Sequence, residues 1–123
     1  MNVNLTTRVY ESQNKHVPIL VYEGRDIVNV KRIFNRIAER YPLGETWFFS
    51  HGDDYCTISF HVFDWLDFRG MICTAGISKR YKYECISNKC GSLSGREAVK
   101  LLWKVNESPK DMELKMRFSP MIK

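Results

Sequence analysis

The sequence predicts a single α+β domain spanning residues 1–123: a mainly antiparallel sheet with two helices packed on one of its faces. Three observations lead there. Residues 26–41, DIVNVKRIFNRIAERY, set Ile27, Val30, Phe34, Ile37, Ala38 and Tyr41 on one side of a 3.6-residue helix. Residues 46–63 hold two β-rich runs around Gly52-Asp53, the mark of a hairpin. A length of 123 residues suits one domain that can bury a core without staples.

The elements follow in order. Residues 3–10 alternate weakly and predict an edge strand. Pro18 to Glu23, PILVYE, is a β-rich run closed by Gly24, with its proline at the first position, where a strand tolerates one. The helix follows and stops at Tyr41, because a residue before proline disfavours helical continuation. TWFFS and YCTISFHVF form the hairpin. In its second arm Cys56, Ile58, Phe60 and Val62 share the expected core face, and Thr57, Ser59, His61 and Phe63 share the other. DWLDFRG reads as a turn, and GMICTAGI as a strand. In KRYKYEC, Arg80, Lys82 and Glu84 alternate with Tyr81, Tyr83 and Cys85, which predicts a half-exposed strand. Ser87 to Gly95 reads as a loop. Ser94-Gly95-Arg96-Glu97 has capping-box spacing, and Ala98, Leu101, Leu102 and Val105 follow at i, i+3, i+4 and i+7, predicting a second helix. The tail ELKMRF alternates and predicts a final strand.

Composition narrows the function classes. Hydrophobic residues are 44% and charged residues 27%, which argues against wholesale disorder. Nineteen Lys and Arg against 14 Asp and Glu give a net charge of +5, a bias that helps binding to polyanions. The N-terminus lacks the basic-then-apolar layout of a signal peptide, and no run approaches the ~20 apolar residues of a membrane span. The expectation is a cytoplasmic protein with no membrane contact, whose four cysteines are free thiols.

Catalytic and metal signals are sparse. Cys85-x4-Cys90 is the closest cysteine pair, looser than the C-x2-C spacing that zinc usually takes. Cys56 and Cys73 are expected mid-strand on apolar faces, as small buried hydrophobes. His51, Asp53 and Asp54, with His61 and Asp64 nearby, could serve acid–base or metal chemistry, yet Gly-Asp is also ordinary turn chemistry. No nucleophile elbow, phosphate loop, HExxH or dinucleotide fingerprint is present. The expectation is a non-enzymatic protein with no metal and no cofactor.

Binding signals are stronger. Arg32, Arg36 and Arg40 recur at four-residue steps with Lys31 beside them, so they stack along the polar side of the first helix. Lys79, Arg80 and Lys82 form a second basic cluster with Tyr81 and Tyr83 interleaved. Phosphates take such charges, and unstacked bases take such rings. Nucleic acid, RNA ahead of DNA, is the expected partner. From 26 to 105 the predicted order α-β-β-β-α resembles a double-stranded-RNA-binding domain, and GSLSGREAVKLLWKV, residues 91–105, is similar to that family's second-helix region. The family's run of adjacent lysines there is absent, and ISKRYKYECISNKC interrupts the spacing, so no family residue is carried across. The alternative is a small inhibitor or adaptor that occludes a protein partner through Trp65, Leu66 and Phe68, an aromatic segment where the strand pattern breaks.

Overall fold

A computed structural model describes residues 3–9, 14–23, 26–95 and 99–106. Its class is α+β, with antiparallel sheets and, among the described residues, three helices. The first helix, α1 (Ile27–Arg40), is where periodicity puts it. Asp26 caps it: the carboxylate accepts the Val28 N–H at 3.0 Å, satisfying a donor that has no intrahelical partner. Val30, Ile33, Phe34 and Ile37 are buried, whereas Ala38 is exposed, so the apolar stripe runs through Ile33 instead. Tyr41 leaves the helix in an extended conformation ahead of Pro42.

The main sheet has four strands in the order β3-β5-β4-β8: β3 (Ile19–Tyr22), β4 (Thr46–His51), β5 (Asp54–Ser59) and β8 (Val99–Val105). All neighbours are antiparallel. The β4–β5 hairpin turns on Gly52-Asp53, with φ +60° at Gly52 and no positive φ at Asp53, a two-residue turn of the II′ kind. Cross-strand partners share a face. One row is therefore Leu20, Thr57, Phe48 and Trp103, and the next is Ile19, Ile58, Trp47 and Lys104, facing the other way. Both faces are covered. Phe34 of α1 meets Phe48 edge-on at 4.8 Å, and Thr57 and Ser59 are as fully buried as Cys56 and Ile58. The expected polar side of this strand is thus interior. Its hydroxyls are paired, Thr57 with the Tyr22 hydroxyl and Ser59 with that of Thr46, each at 2.9 Å. Val62 lies beyond the strand and is exposed.

Two smaller pairs complete the strands: β1 (Val3–Thr6) with β7 (Ser92–Gly95), and β2 (Lys15–His16) with β6 (Phe63–Asp64). Two helices lie between β6 and β7, α2 (Trp65–Ile72) and α3 (Lys79–Asn88).

Four expectations are corrected here. Residues 65–72 are helical, neither a turn nor the start of a strand: Phe68, Met71 and Ile72 are buried at i, i+3 and i+4, and so short an apolar run does not by itself separate helix from strand. Residues 79–88 are also helical. Tyr81 and Cys85 are buried one turn apart, while Tyr83, which alternation puts beside them, is 75% exposed. The second predicted helix is not formed among the described residues. Ser94 pairs with Asn4 in β7, and residues 99–105 pair with β4, with Leu102 as the extra residue of a bulge between the Phe48–Trp103 and Phe49–Leu101 pairs. Glu97 and the 113–118 tail lie outside the described residues. The fourth is the α-β-β-β-α order, which falls with these reassignments.

The helices differ in position. The first, α1, covers the Phe48 face, whereas α3 and the segment before it border the outer edge of β3. The Ser78 N–H donates to the Val21 carbonyl at 2.8 Å, the Glu23 N–H to Gly76 at 2.7 Å, and the Tyr81 hydroxyl to the Ile19 carbonyl. These bonds occupy an edge that would otherwise offer unpaired backbone groups. Gly76 makes the approach possible: its φ is +96°, and a Cβ there would sit 2.2 Å from the Ile33 Cδ1 of α1.

Candidate nucleic-acid interface

The cap at Asp26 and the buried Val30–Ile33–Phe34–Ile37 stripe fix the rotation of α1. That rotation turns Lys31, Arg32, Arg36 and Arg40 to solvent, all four exposed. Their local partners differ. The Arg32 guanidinium donates to the Asn29 side-chain oxygen. Lys31 lies 4.8 Å above the ring of Trp103, which is itself stacked on Phe48 at 4.6 Å. Such a cation–π contact is worth about 0.5–1 kcal/mol at an exposed site, so it holds the ammonium loosely. Arg36 and Arg40 make no ion pair among the described residues. Both line an open groove of about 330 Å³ whose other wall is Gly70, Cys73, Thr74 and Ala75, the end of α2 and the turn after it.

The second basic cluster has been redistributed by its helix. Lys79 and Arg80 are exposed, and Lys82 is half-buried. Arg80 is ion-paired with Glu84 at 3.4 Å. Tyr81 is 4% exposed and donates its hydroxyl to the Ile19 carbonyl, so its ring belongs to the core and is not offered to a base. Burial pushes that phenol well above its ordinary range. Tyr83 is the ring at the surface. The cluster begins three residues after Gly76, which touches α1 through Ile33.

The alternative protein-binding segment is mostly interior. Phe68 is fully buried, stacked on His16 at 5.2 Å, and Trp65 is half-buried against the same two rings. Only Leu66, 74% exposed, faces solvent.

His51 is buried at the hairpin end, while Asp53 and Asp54 are exposed there; His61 is exposed, with its ring 4.9 Å from Phe63. Among the described residues no three His, Cys, Asp or Glu side chains stand where they could hold a metal ion. Cys56 is buried in its strand as expected, and burial raises its thiol far above the ordinary range. Cys73 is not mid-strand; it is exposed at the end of α2, in the groove. All four thiols are free.

His16, which no sequence signal singled out, is fully buried. Its Nδ1 meets the Thr7 hydroxyl at 3.0 Å, and its Nε2 has no hydrogen-bond partner among the described residues. Burial first, and Arg8 second, hold its pKa below 6.5. The segment NKHVPI carries no periodicity that would reveal it. Only its pairing opposite Phe63 places it in the core.

Among the described residues no helix is long and apolar enough to cross a membrane. Compared with protein-family models, with curated proteins and with solved structures, the chain finds no match.

Proposed function

We propose that this protein is a non-catalytic binding protein of the cytoplasm that holds nucleic acid, RNA ahead of DNA, against the outer face of α1. The observation that carries this reading is the row Lys31, Arg32, Arg36 and Arg40, with Arg36 and Arg40 unpaired among the described residues and lining an open groove of about 330 Å³. Guanidinium groups spaced one turn apart suit successive phosphates, and an arginine with no carboxylate partner gives up nothing to engage one. Lys79 and Arg80 extend the footprint, with the half-buried Lys82 beside them.

The test is a salt series on short single- and double-stranded RNA. Phosphate contacts release condensed counterions, so affinity falls linearly on a log–log plot. Replacing Arg32, Arg36 and Arg40 together by Gln flattens that slope by roughly two to three units, at about 0.7–0.9 per lost contact. Wild-type protein with no measurable affinity for either RNA at low salt ends the proposal. The second reading, a protein-occluding inhibitor or adaptor, keeps Leu66 as its contact beside the exposed Asp67. It predicts that Leu66→Asp, and not the arginine triple variant, abolishes partner capture.

A further inference from the structure

The end of α3 brings two cysteines together. Lys89 closes the helix in the left-handed conformation, φ 50° and ψ 36°, and its N–H donates to the Cys85 carbonyl. The Cys90 N–H donates to the same carbonyl at 3.2 Å. This is a Schellman-type closure, in which the backbone of the residue after the left-handed one folds back on the residue five positions earlier. Those two positions are commonly apolar; here both are cysteine. The two thiols are free, and Cys90 is among the groups that raise the Cys85 thiol.

Their surroundings divide the labour. Cys85 is fully buried, and burial pushes its thiol up to about 12. Cys90 is half-buried, and its Sγ lies 3.1 Å from the Thr6 hydroxyl and 3.6 Å from that of Thr7. Those hydroxyls can donate to a thiolate or to a sulfur-bound oxygen. Redox-responsive cysteines share this layout, an accessible thiol beside a resolving partner.

We propose that Cys90 and Cys85 form a peroxide-reactive pair, in which Cys90 meets the oxidant and Cys85 resolves it into an intrachain disulfide. The proposal does not depend on the nucleic-acid reading. A hydroperoxide is the oxidant. The Cys90 thiolate attacks its distal oxygen, the S–O bond forms as the O–O bond breaks, and the alcohol (water, for hydrogen peroxide) departs. Cys85, losing its proton, then attacks the sulfenic sulfur. The S–S bond forms, the S–O bond breaks, and hydroxide leaves as water with that proton. The net change is two thiols and one hydroperoxide to one disulfide, one alcohol and one water.

Trypsin reads the outcome, because Lys89 separates the two cysteines. Reduced full-length protein is treated with hydrogen peroxide, its remaining thiols are alkylated, and the digest is analysed by mass spectrometry. The expected product joins the peptides 83–89 and 90–96 and is two hydrogen atoms lighter than their sum, with Cys56 and Cys73 alkylated. Cys85→Ser, checked for its fold by circular dichroism, is expected to lose that product and to yield a sulfenic acid at Cys90 that dimedone traps. The wild-type digest decides the matter even if the variant fails to fold. Cys90 oxidised to sulfinic acid while Cys85 is still alkylated, or cross-links that run through Cys56 or Cys73, overturns the proposal.

Discussion

The stretch from Asp26 to Ser59 buries much of its length, whereas the stretch from Trp65 to Val105 buries a smaller share of its described residues, and the two specify structure in different ways. In the first, each element announces itself locally: a capped helix with a clear apolar stripe, then a two-residue hairpin with glycine at the positive-φ position. In the second, α2 and α3 are 8 and 10 residues long and cover a few buried side chains each, while β8 exists because β4 offers it an edge. Isolated helices of that length are marginal in water, so packing decides them. Burial and local instruction both concentrate in the first stretch, and the second takes its structure from what it packs against.

The largest expected effects test whether the two stretches unfold as one unit. Phe49 and Phe68 are both fully buried, one in the main sheet and one in α2. Each Phe→Ala substitution should cost about 3–5 kcal/mol. Denaturant titration followed by tryptophan fluorescence and by circular dichroism checks this. If Phe68→Ala costs less than about 1 kcal/mol, or the two probes part company, the second stretch is a separate and weaker unit.

The next effect is pH. The pKa of folded His16 lies below 6.5, the ordinary value that the unfolded chain retains. Above pH 6.5 neither state binds the proton and nothing is lost. As pH falls through 6.5, the unfolded chain takes up a proton that the folded chain refuses, so stability drops until the lower folded pKa is reached. Burial against Phe68 and Trp65 is the larger cause and the like charge of Arg8 the second; Thr7 faces Nδ1, and the neighbouring Lys15 is paired with Asp64 at 2.5 Å. Amide exchange between pH 7.5 and 5.5 should therefore loosen β2, β6 and α2 before the main sheet. His16→Gln should flatten the pH dependence of unfolding, and an unchanged slope would break the assignment.

The smallest effects compare the two helix caps. Asp26→Ala should destabilise by about 1 kcal/mol, because a carboxylate bond of 3.0 Å is lost at a first turn. Ser78→Ala should cost less, since its Oγ reaches the Tyr81 N–H only at 3.5 Å. Thermal melts of the two variants rank them, and the reverse order would mean that α3 depends on its cap more than on Tyr81 and Cys85.

The sequence by itself determined the α+β class, α1, the hairpin with its turn, and β3, because an apolar period, a cap and a glycine turn act within a few residues of themselves. It also placed the basic row of α1, since a helix that buries Val30, Phe34 and Ile37 must expose Arg32, Arg36 and Arg40. Only the tertiary structure decided the rest. Ser94 to Glu97 has capping-box spacing, but the pairing of Ser94 with Asn4, ninety residues away, and of residues 99–105 with β4 outweighs that local preference. Tyr81 sits in a charged alternating run, yet the open edge of β3 offers its hydroxyl a carbonyl and draws the ring inside. Cys85 and Cys90 are a loose pair on paper, and a left-handed residue between them folds the Cys90 N–H back onto the Cys85 carbonyl. In each case the deciding partner lies far along the chain or in a backbone conformation, and residue type and spacing alone carry neither.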